Sequence, residues 1–124
     1  MSKAKAYYAH SMRKYNSQEE AEEMAFIQKH FMGEVICPNV NLGELGDIKH
    51  YLEVIKSVDC VYATEFQGYI GRGVFDECSF ALKNKITVLV VRRDIKGKFF
   101  VQEVTDVMET NRFNFVLFGC IITK

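Results

Sequence analysis

The chain has 124 residues, 48% of them apolar and 26% charged, with no formal net charge. That length fits one domain with its own core, and the charge balance excludes a strongly basic nucleic-acid binder and an acidic solvating tail. The first ten residues lack an apolar leader core and no apolar run reaches membrane-spanning length, so a cytoplasmic protein without membrane contact is expected.

Lys5 to Ala9 reads as a short first strand, followed by the polar, basic loop His10-Ser11-Met12-Arg13-Lys14. A loop of this kind after the first strand is where open α/β sheets bind anions. Ser11 offers a hydroxyl, and Arg13 can grip a phosphate or carboxylate through two parallel hydrogen bonds. His10 reads equally as a catalyst and as a hydrogen-bonded packing residue. Ser17-Gln18-Glu19-Glu20 is a capping box opening a helix to about Phe31, with Ala21, Met24, Ala25 and Ile27 as its apolar contacts. The acid run Glu19, Glu20, Glu22 and Glu23 reads as a solvated face, and Gly33 as the stop.

Glu34 to Cys37 is a second strand, ended by Pro38-Asn39. After the polar loop Asn41 to Gly46, Asp47 caps a helix with Ile48, Tyr51, Leu52 and Ile55 on one face. Val58 to Ala63 is the third strand. The glycine-bearing loop Gly68 to Gly73 then leads into a helix whose stripe is Val74, Phe75, Cys78, Ala81 and Leu82. At about 100° per residue, Asp76 falls opposite that stripe, toward water, and Glu77 on its border, toward the crevice. The partial positive charge of a first helical turn favours an ionised carboxylate there. An ionised carboxylate beside a glycine loop suits attack on a sugar carbon; alternatively, both acids simply complement the helix dipole.

Ile86 to Val91 is the fourth strand and Arg92 to Lys98 a charged turn. Phe99 to Glu109 reads as a helix and Phe113 to Ile122 as the last strand region. The alternation implies an α/β domain spanning residues 1–124, a doubly wound, Rossmann- or flavodoxin-like fold with a mostly parallel five-stranded sheet. Cys37, Cys60, Cys78 and Cys120 lie far apart, which is neither zinc-ligand spacing nor a secreted disulfide framework, so buried thiols and no metal or cofactor are expected.

Several motifs resemble the nucleoside 2-deoxyribosyltransferase superfamily, especially its 2'-deoxynucleoside 5'-monophosphate N-hydrolase branch. Tyr7-Tyr8-Ala9-His10-Ser11-Met12-Arg13 is similar to the family's tyrosine-rich strand end and Gly-Ser-Ile-Arg loop. Glu77-Cys78-Ser79-Phe80-Ala81 followed by Thr87 to Val91 is similar to its Glu-x-Gly-x-Ala helix and following strand. Asn111-Arg112-Phe113 stands where that branch has a Ser-Arg-Phe segment reaching a neighbouring subunit. The resemblance implies that Ser11 and Arg13 hold a 5'-phosphate, that Glu77 attacks the anomeric carbon, and that the chain is a homodimer with Asn111 near the neighbouring site. Tyr7 or Tyr8 would lie against base or sugar, with His10, Asn39, Gly68, Gly71 and Gly73 completing the binding set. The family's first-loop glycine is His10 here, and its loop glycine before the glutamate is Phe75. A family aspartate aligns with Tyr51, leaving Asp47 or Glu53 as substitutes.

The expected function is cleavage or transfer at the N-glycosidic bond of a nucleotide or nucleoside, with no nucleic-acid polymer and no membrane as partner. The alternative is a non-catalytic nucleotide-binding or sensing domain on the same fold.

Overall fold

The strand β1 (Lys5–Ala9) is buried on both faces: Tyr7 and Ala9 enter one core, Ala6 and Tyr8 the other. A central strand of a covered parallel sheet reads this way, apolar at nearly every position. The computed structural model describes residues 4–41, 48–66, 70–109, 113–117 and 120–121. Around β1 the sheet is built from β2 (Glu34–Ile36), β3 (Cys60–Thr64), β4 (Thr87–Arg93), β5 (Phe99–Glu109), β6 (Phe113–Leu117) and β7 (Cys120–Ile121). Their spatial order is β2-β1-β3-β4-β5-β6-β7. The pairings among β2, β1, β3 and β4 are parallel, and those from β4 through β7 are antiparallel. The first four strands therefore form a parallel α/β sheet as expected, and β5, β6 and β7 extend it by antiparallel pairing to seven strands among the described residues.

A helix covers the Tyr8 face. It is α1 (Gln18–Phe31), which buries Ile27 and packs Met24, Phe26 and Phe31 there. The short α2 (Pro38–Asn41) opens on proline, whose missing N–H costs nothing at a first helical position. On the Tyr7 face, α3 (Ile48–Ile55) contributes Ile55, and α4 (Arg72–Lys83) contributes Val74, Cys78 and Ala81. The chain leaves β1 for β2 on one side and returns to β3 on the other. That reversal opens a crevice at the carboxyl ends of β1 and β3, where open α/β sheets place ligands.

The largest correction concerns Phe99–Glu109, expected as a helix and found as the eleven-residue strand β5. Val101, Val104 and Val107 recur every third residue and so imitate one helical face. In the sheet, Val101 joins the α1-side core while Val104 and Val107 join the α4-side core. A register shift between Val104 and Asp106 lets those two valines face the same way despite their odd spacing. The final region, expected as one strand, is two.

A smaller difference lies at a helix end. The α1 C-cap is Met32, in the left-handed region at φ 59°, rather than Gly33. Gly33 is required for another reason: a Cβ there would sit 2.9 Å from the Ala4 carbonyl oxygen and 2.7 Å from the Phe31 ring. Asp47 and the loop before it lie outside the described residues.

Among the described residues no helix is long and apolar enough to cross a membrane.

Candidate active site

Two loops meet at the crevice. After β1, Ser11 caps a 3₁₀ turn, Met12–Lys14, by accepting a hydrogen bond from the Arg13 N–H at 3.2 Å. Arg13 is exposed, its guanidinium 5.7 Å from the centroid of the Phe66 ring beyond β3. Across from it, Gly71 is the N-cap of α4 and supplies no side-chain cap. The first-turn amides of a helix lack intrahelical acceptors and carry partial positive charge. With Arg13 and Arg72 alongside, this mouth favours an anion. The pocket holds about 320 Å³, at the small end of the range for small-molecule sites. Its walls are His10 to Arg13, Tyr15, Pro38, Tyr51, Gly71 to Val74 and Glu77.

Glu77 is the one carboxylate on that wall among the described residues. It is 5% exposed and accepts a short hydrogen bond from the Tyr7 hydroxyl. Because α4 begins at Arg72, Glu77 lies in its second turn, and the first turn holds no acid. The helix-dipole support expected for an ionised Glu77 is therefore weak. Burial instead pushes its carboxyl up to about 7, against the lowering effect of the Tyr7 hydrogen bond and with a small further rise from Asp76. Asp76 is only partly exposed and pairs with Arg72 at 3.2 Å. Tyr7 itself is fully buried and does not line the pocket, so it acts through Glu77. Burial and the neighbouring Glu77 push the Tyr7 phenol far above its ordinary value.

Behind the first loop lies a buried polar layer that overturns the solvated-face reading for two of the four α1 acids, while Glu19 and Glu22 are exposed as expected. Glu20 and Glu23 are buried, whereas Ala21 and Ala25, expected as contacts, are exposed. Glu23 accepts from the Tyr8 hydroxyl and from Lys14 Nζ at 2.9 Å. Lys14, 2% exposed, also donates to Thr64 Oγ1 at 3.2 Å. The 3₁₀ turn bearing Ser11 and Arg13 is thus pinned from beneath by an ion pair to α1 and a hydrogen bond to β3. Tyr8 faces this layer, away from the pocket.

Only the N-cap half of the capping box forms: the Ser17 hydroxyl accepts from Glu20 N–H at 3.1 Å, while the Ser17 N–H goes to the Lys14 carbonyl oxygen. Glu20, however, reaches the Asn16 N–H at 3.0 Å, the Asn39 side-chain amide at 3.1 Å and His10 Nε2 at 2.7 Å. His10 stacks on Tyr8 with ring centroids 3.8 Å apart and places Nδ1 3.1 Å from the Tyr8 carbonyl oxygen. Both ring nitrogens are thereby engaged away from the pocket, which makes His10 a wall and a strut. Burial pulls the imidazole below its ordinary value, against its bonds to Glu20 and Tyr8. Burial likewise acts to raise the Glu20 carboxyl, but the donors around it, His10 first, hold it below the usual carboxylate range.

Of the residues expected to form a site, His10, Ser11, Arg13, Gly71, Gly73 and Glu77 line one pocket. Asn39 stands behind His10, bonded to Glu20. Gly68 and Asn111 lie outside the described residues. Sequence reading missed Tyr15 and Arg72, which their positions beside the two loops could have signalled. It also missed Lys14, Glu20 and Glu23, whose charge suggested solvent. Cys37, Cys60 and Cys78 are buried and form no disulfide, as expected; burial pushes the Cys60 thiol up to about 12. No protein-family model matches the chain, and a search of curated proteins finds no match.

Proposed function

We propose that this chain is a doubly wound, Rossmann- or flavodoxin-like N-glycosidase or deoxyribosyltransferase, acting on a (deoxy)nucleoside 5'-monophosphate through Glu77. The observation that carries this reading is a buried carboxylate, fixed by Tyr7, on the wall of a pocket whose opposite lip bears Ser11 and Arg13. The phosphate rests on Ser11, Arg13 and the first-turn amides of α4. This remote binding energy orients the sugar toward Glu77.

Ionised Glu77 then attacks C1' as the C1'–N bond breaks; the base leaves with the bonding pair and takes up a proton. Water or a second base opens the resulting glycosyl ester and returns the carboxylate. Tyr7 orients Glu77 and favours its ionised form. The proposed setting is cytoplasmic, as a homodimer.

The test is release of free base from deoxynucleoside monophosphates, followed chromatographically, for wild type and Glu77→Ala. Release by wild type and its loss in the variant support the reading; undiminished release in the variant removes Glu77 as nucleophile. One observation favours a second reading, a non-catalytic nucleotide sensor: Tyr51 lines the pocket where the resemblance places an aspartate. Tight nucleotide binding with no base release would select it.

A further inference from the structure

We propose that His10, Glu20 and Cys37 form a site for a single divalent transition-metal ion, Zn²⁺ by donor type, in the wall behind the pocket. Their ligand atoms all lie within 4.8 Å of one another. They come from three separate places, the loop after β1, the start of α1 and the residue after β2, so no short spacing motif announces them. Imidazole, carboxylate and thiolate together are a ligand set that Zn²⁺ accepts.

The surroundings resemble those of a metal site as much as the three donors do. A metal-bound histidine characteristically gives its other ring N–H to a carbonyl, and a ligating carboxylate is itself hydrogen-bonded. Here His10 Nδ1 faces the Tyr8 carbonyl oxygen at 3.1 Å, which directs Nε2 at Glu20. Glu20 is steadied by the Asn16 N–H at 3.0 Å and Asn39 Nδ2 at 3.1 Å. Asn39 Oδ1, 3.2 Å from Cys37 Sγ, is a neutral oxygen at hand for a fourth position. Without an ion the imidazole faces an acceptor at each nitrogen, and a neutral ring can donate to only one of them. A cation at Nε2 removes that conflict and leaves Nδ1–H on the Tyr8 carbonyl.

The charges also balance. Binding releases the Cys37 thiol proton, while the single proton of the neutral His10 ring sits on Nδ1; the ion's two positive charges then meet one thiolate and one carboxylate, leaving a neutral buried site. Entry is from the pocket, whose wall includes His10 and Pro38.

This inference does not depend on the glycosidic reading. The experiment titrates chelator-treated, reduced full-length protein with Co²⁺ and records the near-ultraviolet thiolate-to-cobalt band. The expected result is a band saturating at one equivalent, abolished by Zn²⁺, absent in Cys37→Ser and retained in Cys60→Ser. Glu20→Gln should weaken Co²⁺ binding about tenfold or more. Should Cys37→Ser fail to fold, alkylation of wild type mapped by mass spectrometry decides: Zn²⁺ protects Cys37 and leaves Cys60 unchanged. No thiolate band in wild type, a band that survives Cys37→Ser, or Cys37 alkylation unaffected by Zn²⁺ overturns the proposal.

Discussion

Replacing Glu77 by glutamine isolates the electrostatics of the pocket from any catalytic assay. The folded carboxyl keeps its proton to about pH 7, because burial disfavours the charge, whereas the unfolded chain releases it near 4.5. Between those values the native state binds more protons than the unfolded state. Wild-type stability therefore falls as pH rises across this window and is level above it. At about 1.4 kcal/mol per pH unit, the accumulated loss is about 3 kcal/mol. Glutamine keeps the shape, retains an oxygen to accept from Tyr7, and cannot ionise. Urea unfolding followed by far-ultraviolet circular dichroism at pH 5 and pH 8 measures the difference. Glu77→Gln should gain about 2–3 kcal/mol on wild type between the two conditions, with little difference at pH 5. A stability difference that is flat with pH, or that shrinks toward pH 8, refutes the assignment of a buried, proton-retaining carboxyl.

Other expectations concern single contacts. Tyr7→Phe removes the bond that lowers the Glu77 carboxyl, so the midpoint of the same pH window should move above 7, read by unfolding at closely spaced pH values. Lys14→Met leaves Glu23 buried without its cation and should cost about 3–5 kcal/mol, much of it recovered in Lys14→Met/Glu23→Gln, as measured by thermal or urea melts. Among the described residues a Cβ at Gly73 would meet nothing within 4 Å, and Gly73 sits in the first turn of α4. Gly73→Ala should thus stabilise by up to about 1 kcal/mol while narrowing the pocket mouth, seen as a higher Tm and weaker monophosphate binding. Arg13→Ala should abolish any preference for monophosphates over nucleosides in a binding titration, with the fold unchanged.

Legibility in the sequence followed the physics of each segment. The parallel strands and α4 were readable because burial on two faces or on one stripe leaves a direct apolar signature. Glu77 was placed in the crevice by helical geometry alone. Its charge state was not readable, since that depends on how deeply Tyr7 and the pocket wall enclose it. The orientation of α1 failed for a related reason. Glu20 and Glu23 occupy the inward stripe with Ile27, but their compensating groups, His10, Lys14 and the Tyr8 hydroxyl, come from the other side of a turn. Local charge suggested solvent where tertiary partners permitted burial. The β5 misreading arose where valines serving two opposite cores, with a bulge between them, produced a three-residue recurrence.

The most direct measurement for the proposed chemistry is mass mapping of the protein after brief incubation with a deoxynucleoside monophosphate and acid quench. The account predicts a deoxyribosyl-phosphate adduct on the peptide bearing Glu77, missing in Glu77→Gln. Base release accompanied by no adduct at that residue, and persisting in the variant, would contradict it.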